Sequence, residues 1–417
     1  MILLTIAVLV AIFAAGAVLR VNLGLLGLAG AFLVGTIAAG IPAKEVLAGF
    51  PTDIFVTLVG ITYLFALARS NGTIDLLVDG AARLLGHRAA AMPLLVFSVS
   101  ALLTALGALG PAAVAIIAPV ALRFARQYRL SPLMMGLVTI HGAQAGAFSP
   151  MSIYGGIANQ VMARTGVTPD PIFLFLASLI FNALIAACVM LLLGRVRPPA
   201  VEGDVAVPAS GDPLAAGGGV TRDQLFTLGG LVALATAALA FRVDIGLMAI
   251  CVIIALAALS PQMRSGGLQG VDWSTALLIC GIVTYVTVMA RLGVIDRAGA
   301  SVALVAAPLL ASLLLCYLAG VVSAFASSTA LLGVVIPLAA PLFGSNAVDA
   351  IPLVAAIAVS TTIVDTSPFS TNGALVVANA APEGRAALLR QLLIYSAFII
   401  AVGPLAAWAA FVVGFAK

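Results

Sequence analysis

The chain has 417 residues, of which 63% are hydrophobic and 8% are charged, and its formal net charge is +4. A soluble globular protein is nearer half apolar and a quarter charged, so this chain has too few charges to cover a water-facing surface. Its 19 Lys and Arg residues are scattered between apolar runs, which argues against a nucleic-acid-binding patch and is typical of membrane topology signals. We therefore expect a multi-pass protein of the lipid bilayer, with no nucleic-acid partner.

The first half of the sequence is a series of apolar runs, several of them close to the roughly 20 residues that a membrane-spanning helix needs. A long apolar segment at 92–122 is broken at GALGP, and a run at 133–163 is broken at SPMSIYGG. Each arm of segment 92–122 is too short to span, so we predict a re-entrant hairpin whose tip is buried in protein or faces water. Spans are predicted at 2–19, 23–41, 54–68 and 172–194.

Residues 195–224 are rich in Pro and Gly, have mixed charge and show no apolar period. This composition predicts a flexible linker between a first domain, 1–194, and a second domain, 225–417. The second domain repeats the series of the first, with a hairpin at 307–342 and a broken helix at 353–380. Its spans are predicted at 224–241, 245–259, 273–290 and 388–415.

The two halves also match in sequence. VNLG near the start pairs with VDIG, and Pro119 in IIAPVA pairs with Pro337 in VVIPLA. Ser149 pairs with Ser367 at the same offset, since 337−119 and 367−149 both give 218. If the hairpins do not cross, each half crosses the membrane five times, and an odd number inserts the second half upside down. The prediction is an all-α membrane protein with about ten transmembrane helices, two re-entrant hairpins and two helices broken at midplane, in an inverted repeat.

The distribution of basic residues predicts the orientation. When the 19 Lys and Arg residues are assigned to alternate sides, thirteen fall on one side and six on the other, which favours the first side as cytoplasmic. The linker is then cytoplasmic and both termini are extracytoplasmic. The expected location is a bacterial-type inner membrane.

The broken helices carry the predicted chemistry. The N-terminal end of a half-helix has free N–H donors and partial positive charge, so it attracts anions, while free carbonyls and hydroxyls at a break can ligate a small cation. In SPFSTNG, Pro368 stops the first half-helix and Gly373 permits an unusual backbone angle. The alternative is a plain kink in which the hydroxyls bond back to their own helix; recurrence of the break at matching places favours a ligand site.

One acidic residue and one histidine lie deep inside apolar runs. Asp365 is the one acidic residue deep in such a run, and an intramembrane carboxylate is expensive enough to be a functional candidate, with capping of the break as the alternative. His141 is either a member of a proton relay or a hydrogen-bonded core histidine. No Lys or Arg falls near the centre of a predicted span, so the charge of an anionic substrate would be met by backbone donors, hydroxyls and a co-bound cation.

The sequences GALGPAAVAIIAPVA and SPFSTNGAL resemble the ion transporter superfamily, which includes the divalent anion:sodium symporters. Within it they look most like the dicarboxylate carrier family typified by the malonate carrier MatC. The resemblance implies a homodimeric, elevator-type carrier with substrate and sodium ligands at each hairpin tip. Such symporters place Ser-Asn-Thr at each tip; here the second tip is a near match, whereas Leu109, Gly110 and Pro111 at the first offer no side-chain ligand and depart from that pattern.

The candidate residues form two sets. The candidate substrate-binding residues are Ser327, Ser328, Thr329, Ser367, Pro368, Ser370, Thr371, Asn372, Gly110, Pro111, Ser149 and Ser152. The candidate coupling-ion residues are Asp365, Thr366, Gly373, Gly107 and Gly155. The coupling ion is Na⁺ or H⁺; no cofactor, and no metal other than sodium, is expected.

Several other functions compete with dicarboxylate transport. Citrate, sulfate and arsenite are alternative substrates within the same superfamily. A membrane-embedded aspartyl protease needs two facing carboxylates, and the sequence offers one deep carboxylate. A channel predicts a continuous polar stripe, whereas the polar residues cluster near midplane. We therefore predict a cation-coupled secondary transporter of malonate, succinate or malate type, and no enzyme activity.

Overall fold

The computed structural model is all-helical over the part of the chain that it describes. The described residues are all of 1–417 except 20, 75, 78–79, 81–90, 195–219, 242, 261–267, 295–296, 298–307, 325–327, 344–347 and 416–417. Most of the predicted linker therefore lies outside the described residues, as does Ser327 of the second hairpin tip.

The first domain contains nine α-helices. These are α1 (Ile2–Leu19), α2 (Leu23–Ala31), α3 (Ala43–Leu47), α4 (Thr52–Ser70), α5 (Met92–Ala105), α6 (Gly110–Gln127), α7 (Pro132–Gly146), α8 (Ile153–Arg164) and α9 (Pro171–Leu193), counted over the described residues. Helix α2 continues into a π-helix, Phe32–Ala38. The predicted hairpin corresponds to α5 and α6, and its second arm runs to Gln127 rather than to residue 122. The predicted broken helix corresponds to α7 and α8.

The second domain follows the same order. Its helices among the described residues are α10 (Arg222–Ala240), α11 (Ile245–Leu259), α12 (Trp273–Arg291), α13 (Pro308–Ser323), α14 (Ser328–Ala339), α15 (Ala350–Ile363), α16 (Thr371–Ala378) and α17 (Pro382–Ala407). A 3₁₀ turn, Val364–Thr366, follows α15, and α17 continues into a π-helix, Trp408–Val413. The hairpin is α13 and α14, and the broken helix is α15 and α16.

The predicted linker ends too late. Helix α10 begins at Arg222, inside the segment 195–224. The reason is a capping box: the Thr221 hydroxyl accepts from the Gln224 backbone N–H at 3.2 Å, and the Gln224 side-chain oxygen accepts from the Thr221 N–H at 3.0 Å. Composition alone assigned these polar residues to the linker, whereas they form the first turn of the helix.

Five of the described helical segments are long and apolar enough to cross a membrane: Thr52–Ser70, Pro171–Leu193, Trp273–Arg291, Ala350–Ala378 and Pro382–Val413. Shorter apolar helices, including the first arm of the first hairpin and both arms of the second, accompany them. A multi-pass helical architecture is therefore confirmed, and the number of about ten crossings stays a prediction.

Helix contacts occur in equivalent pairs across the two domains. Helix α2 packs against α12 of the second domain, and its repeat equivalent α11 packs against α4 of the first. Likewise α6 contacts α16, and α14 contacts α8. The crossing of α2 and α12 is very close: a Cβ atom placed on Gly24 would lie 1.9 Å from the Leu277 carbonyl oxygen, and one on Gly281 would lie 1.9 Å from the Gly24 oxygen. Only glycine permits this backbone approach.

The broken helices meet near the axis that relates the domains. The side-chain Nε2 of Gln144, at the end of α7, donates to the Thr362 carbonyl oxygen of α15 at 2.7 Å. These residues are 218 apart, which is the repeat offset. A residue that contacts its own repeat equivalent lies close to the relating axis, so the two breaks face each other across it.

Candidate functional site

A cavity of about 510 Å³ lies where the hairpin tips and the breaks converge. We call it the central cavity. Its lining comes from both domains and includes every half-helix that follows a tip or a break. The described lining residues are Phe13, Gly16, Leu23, Leu109, Pro111, Ala112, Tyr154, Asp272, Thr275, Ala324, Ser328, Thr329, Asp365, Phe369, Ser370, Thr371 and Asn372.

Four helix N-termini point their first turns to this cavity. Helix α6 contributes Pro111, α8 contributes Tyr154, α14 contributes Ser328 and Thr329, and α16 contributes Asn372. A helix N-terminus presents unbonded N–H groups and carries partial positive charge. No Lys or Arg is among the described lining residues, so these termini are the main source of positive potential there. Together they form a site suited to an anion.

The termini are arranged in two equivalent pairs. Gly110 and Ser328 are the first residues of α6 and α14 and are 218 apart, as are Tyr154 and Asn372. A Cβ atom placed on Gly110 would lie 3.6 Å from the Asn372 side-chain nitrogen. The second arm of each hairpin therefore contacts the second half-helix of the other domain's broken helix. The two pairs differ in chemistry, because one combines Gly110 with the amide of Asn372 and the other combines Ser328 with the phenol of Tyr154.

Asp365 is held by the second hairpin. Its side chain is 7% exposed, and both of its carboxylate oxygens lie 2.9 Å from the Ser328 hydroxyl. The Ser323 hydroxyl lies 2.9 Å from that of Ser328, so the two ends of the second tip are tied to the carboxylate by a chain of hydroxyls. The described residues give Asp365 no cationic partner. A buried carboxylate with hydroxyl neighbours is a donor set that suits Na⁺.

Ser152 and Ser370 occupy the same local structure. Each is the N-cap of its half-helix, where its hydroxyl oxygen accepts from a glycine N–H, Gly155 at 3.1 Å and Gly373 at 3.5 Å. The Ser370 hydroxyl also donates to the carbonyls of Asp365, at 2.5 Å, and Ser367, at 2.7 Å. The Ser152 hydroxyl donates to the equivalent carbonyls. Both hydroxyls are therefore used by the chain itself, as the plain-kink alternative requires.

Asn372 has the opposite character. It is 3% exposed, lines the central cavity, and its Oδ1 has no hydrogen-bond partner among the described residues. An unpaired buried amide costs free energy unless a ligand or water completes it. Because the amide nitrogen and oxygen exchange places by a flip of the group, either atom can be presented to a ligand.

Some of the predicted site residues line the central cavity, and others do not. The predicted residues on its lining are Pro111, Ser328, Thr329, Asp365, Ser370, Thr371 and Asn372. The remaining described predictions are not on the lining: Gly107, Gly110, Ser149, Ser152, Gly155, Thr366, Ser367, Pro368 and Gly373. Ser149 instead ties the first break to the first hairpin, since its hydroxyl donates to the Ala105 carbonyl at 2.5 Å.

Sequence reasoning did not assign several lining residues. Tyr154 belongs to the first break, but its phenol was not chosen as a site group. Asp272 and Thr275 come from the start of α12, where Asp272 Oδ1 accepts from the Thr275 N–H at 2.9 Å. Phe13 and Leu23 come from the first two helices. The Asp-x-x-Thr capping pattern was legible in the sequence, but its position beside the breaks was not.

His141 has the environment of a core histidine. Its Nδ1 lies 3.0 Å from Asn182 Oδ1, and its Nε2 lies 2.7 Å from the Tyr395 hydroxyl. Both ring nitrogens are thus satisfied by neutral partners on α9 and α17. His141 is not among the residues that line the central cavity.

Comparisons with known proteins agree with this picture. Residues 1–147 match the family model described as "Dicarboxylate carrier protein MatC N-terminus", so the resemblance to the dicarboxylate carriers is confirmed over that part of the chain. A solved structure, that of the Alcanivorax borkumensis YdaH transporter, superimposes with a TM-score of 0.58. It shares 14% sequence identity, with 87% of this chain and 86% of that chain covered, and so shows the fold alone. No curated protein matched.

The fold and the family match together indicate a multi-pass membrane transporter and argue against a membrane-embedded enzyme.

Proposed function

We propose that the protein is a secondary transporter of small dicarboxylates such as malonate, succinate or malate. The observation that carries the proposal is the convergence of four helix N-termini on one cavity of about 510 Å³. That volume lies within the usual range of about 300–1,000 Å³ for small-molecule sites. A dianion gains from several N-termini at once, because each supplies N–H donors directed at the ligand. The family match over residues 1–147 supports a carboxylate as that anion.

Cation coupling follows from charge balance in the cavity. Asp365 is on the lining and has no cationic partner among the described residues, so an anion and this carboxylate repel each other unless a cation is bound between them. We assign Asp365 as the coupling-ion residue, for Na⁺ or H⁺. Thr366 is a further candidate, since its buried hydroxyl oxygen has no hydrogen-bond partner in the described part of the chain.

An elevator mechanism suits the two walls of the cavity. Hairpins and broken helices supply one wall, including Asp365 and Asn372, and this wall holds most of the polar groups. Phe13, Gly16 and Leu23, from α1 and α2, supply part of the other. The other wall also carries Asp272 and Thr275 at the start of α12, and these two residues bond to each other, so few bonds break when the polar wall slides past it. In this proposal the helices outside the hairpins and broken helices form a fixed scaffold. The scaffold dimerises, as the family resemblance implies, and both termini lie outside the cytoplasm.

The test is uptake by purified protein in liposomes. Labelled malonate, succinate and malate are supplied under an imposed Na⁺ gradient or pH gradient, with citrate, sulfate and arsenite in parallel. We expect concentrative uptake of a three- or four-carbon diacid that depends on one of the gradients. Preference for citrate, sulfate or arsenite would select one of the alternative anions, and uptake of a neutral solute without any di- or tricarboxylate would overturn the proposal.

A further inference from the structure

A second cavity, of about 700 Å³, lies between α4 and the start of α6. We call it the outer cavity. Leu109, Ala112 and Asp272 line both cavities, so the N-terminal ends of α6 and α12 form the partition between them. Gly107, in the turn that precedes α6, has φ +113°, a conformation that favours glycine. A solute that leaves the central cavity past this partition enters the outer cavity.

The helices that flank the outer cavity are arranged differently from their equivalents in the second domain. Helix α12 packs directly against α14, whereas the corresponding helices α4 and α6 have the outer cavity between them. The described helices are thus separated by a cavity at one of two equivalent places and in contact at the other. In a transporter built from inverted repeats, such a difference marks the side from which the site is reached.

Arg69 stands in the lining of the outer cavity. It lies in the last turn of α4, its side chain is exposed, and it is the one basic residue among the described lining residues of either cavity. The ion pairs found among the described residues are Arg164 with Asp53 and Arg291 with Glu45, so Arg69 has no acidic partner there.

Arg69 differs from its repeat equivalent, and it shares the outer cavity with one acidic residue among the described lining residues. Arg291, which corresponds to Arg69 in the repeat, is paired with Glu45 at 3.2 Å. Asp272 shares the outer cavity with Arg69, but its two carboxylate oxygens accept from Thr275, the backbone N–H at 2.9 Å and the hydroxyl at 2.8 Å. Because none of the ion pairs found among the described residues joins Arg69 to Asp272, the guanidinium of Arg69 is available to a mobile anion.

We propose that Arg69 forms an anion-binding site in the outer cavity, where it takes a carboxylate of the solute before or after passage past Leu109. A guanidinium binds a carboxylate through two parallel hydrogen bonds, and in an exposed position it does so weakly enough to release it. The identity of the anion as a dicarboxylate rests on the proposed function. The site itself rests on the outer cavity and on the unpaired guanidinium.

The test measures the local charge of the outer cavity without transport. Ser70 lines the same cavity and is exposed, so Ser70→Cys places a thiol beside Arg69. The exposed native thiols are removed by Cys188→Ser and Cys251→Ser. Purified protein in detergent is treated with an anionic and with a cationic thiosulfonate reagent, and the ratio of the two labelling rates is determined.

We expect Arg69→Gln to lower the anionic-to-cationic rate ratio by about three- to tenfold, as loss of one nearby unit charge in a hydrated cleft predicts. Arg69→Lys should keep most of the ratio, and Arg291→Gln, the matched control, should keep all of it. Malonate should slow labelling when Arg69 is present, whereas the neutral malonamide should not. Should Ser70→Cys prove unstable, Ala112→Cys in the partition gives a second reporter.

The outcomes separate this site from the proposed function. If malonate is transported but neither the rate ratio nor the protection depends on Arg69, the anion site is wrong and the transporter stands. If both depend on Arg69 while no dicarboxylate is transported in liposomes, the site stands and the proposed substrate is wrong.

Discussion

Replacement of Asn372 by alanine tests the central cavity most directly. The amide is buried on the cavity lining and its Oδ1 has no partner in the described residues, so the substitution leaves no protein group stranded. A hydrogen bond to a charged ligand is worth about 1.5–3 kcal/mol. Since about 1.4 kcal/mol is a tenfold change in an equilibrium constant, Asn372→Ala should weaken apparent substrate affinity by about ten- to a hundredfold.

The chain offers a matched control in Asn159. This asparagine lies on α8, and its Oδ1 is likewise buried without a partner among the described residues. Its Nδ2 donates to the Gly155 carbonyl at 2.7 Å, and it is not among the residues that line the central cavity. Asn159→Ala should therefore leave affinity unchanged, even though it removes a similar group from the equivalent half-helix.

The assay is the concentration dependence of initial uptake into liposomes, together with the thermal midpoint of each purified variant. Asn372→Asp should abolish uptake, because it adds a carboxylate to a lining that already carries Asp272 and Asp365. Equal and small effects of Asn372→Ala and Asn159→Ala on affinity would show that backbone groups alone hold the substrate, and the side-chain argument would then be refuted.

Three further predictions concern the breaks and the orientation. Asp365→Asn should abolish concentrative uptake while exchange of internal for external substrate persists; retention of gradient-driven uptake would reduce Asp365 to a structural role. Ser370→Ala and Ser152→Ala should each lower the free energy of unfolding by about 1 kcal/mol, the usual loss for an N-cap. Because the chain itself uses both hydroxyls, the two variants should have similar substrate affinity, and a loss of affinity of about tenfold in Ser370→Ala alone would show that this hydroxyl, on the cavity lining, binds substrate. Cysteines near Ser210 should label from the cytoplasm and cysteines near Lys417 from outside, and the reverse pattern would show a misplaced span.

The sequence was a good guide to the parts of the site that interrupt an apolar run. Asp365 and Asn372 are recognisable in the sequence because a polar group in an apolar run costs free energy and is therefore a candidate for a functional role. The repeat offset by itself also pairs Gly110 with Ser328. The repeat offset does not predict that each helix packs against a helix of the other domain, as α6 does with α16 and α14 with α8. These contacts depend on packing between the domains.

Other features were decided by local geometry that composition does not encode. Ser152 and Ser370 were chosen as ligands for their hydroxyls, yet backbone direction after each break makes both of them N-caps. Asp272 reaches the central cavity because α12 starts beside α4, and nothing in its own neighbourhood of the sequence marks it as part of a site. The same holds for the outer cavity, which exists because α4 and α6 do not pack as α12 and α14 do.

The exchange of partners between α2 and α12 has a consequence for biogenesis. Helix α2 leaves the ribosome long before α12, so the groove at Gly24 faces lipid while more than half of the protein is still being made. Helix α4 is likewise synthesised before α11, the helix of the second domain against which it packs. We therefore expect neither domain to complete its packing until the second domain has been inserted. The two halves made as separate polypeptides should therefore accumulate only when produced together.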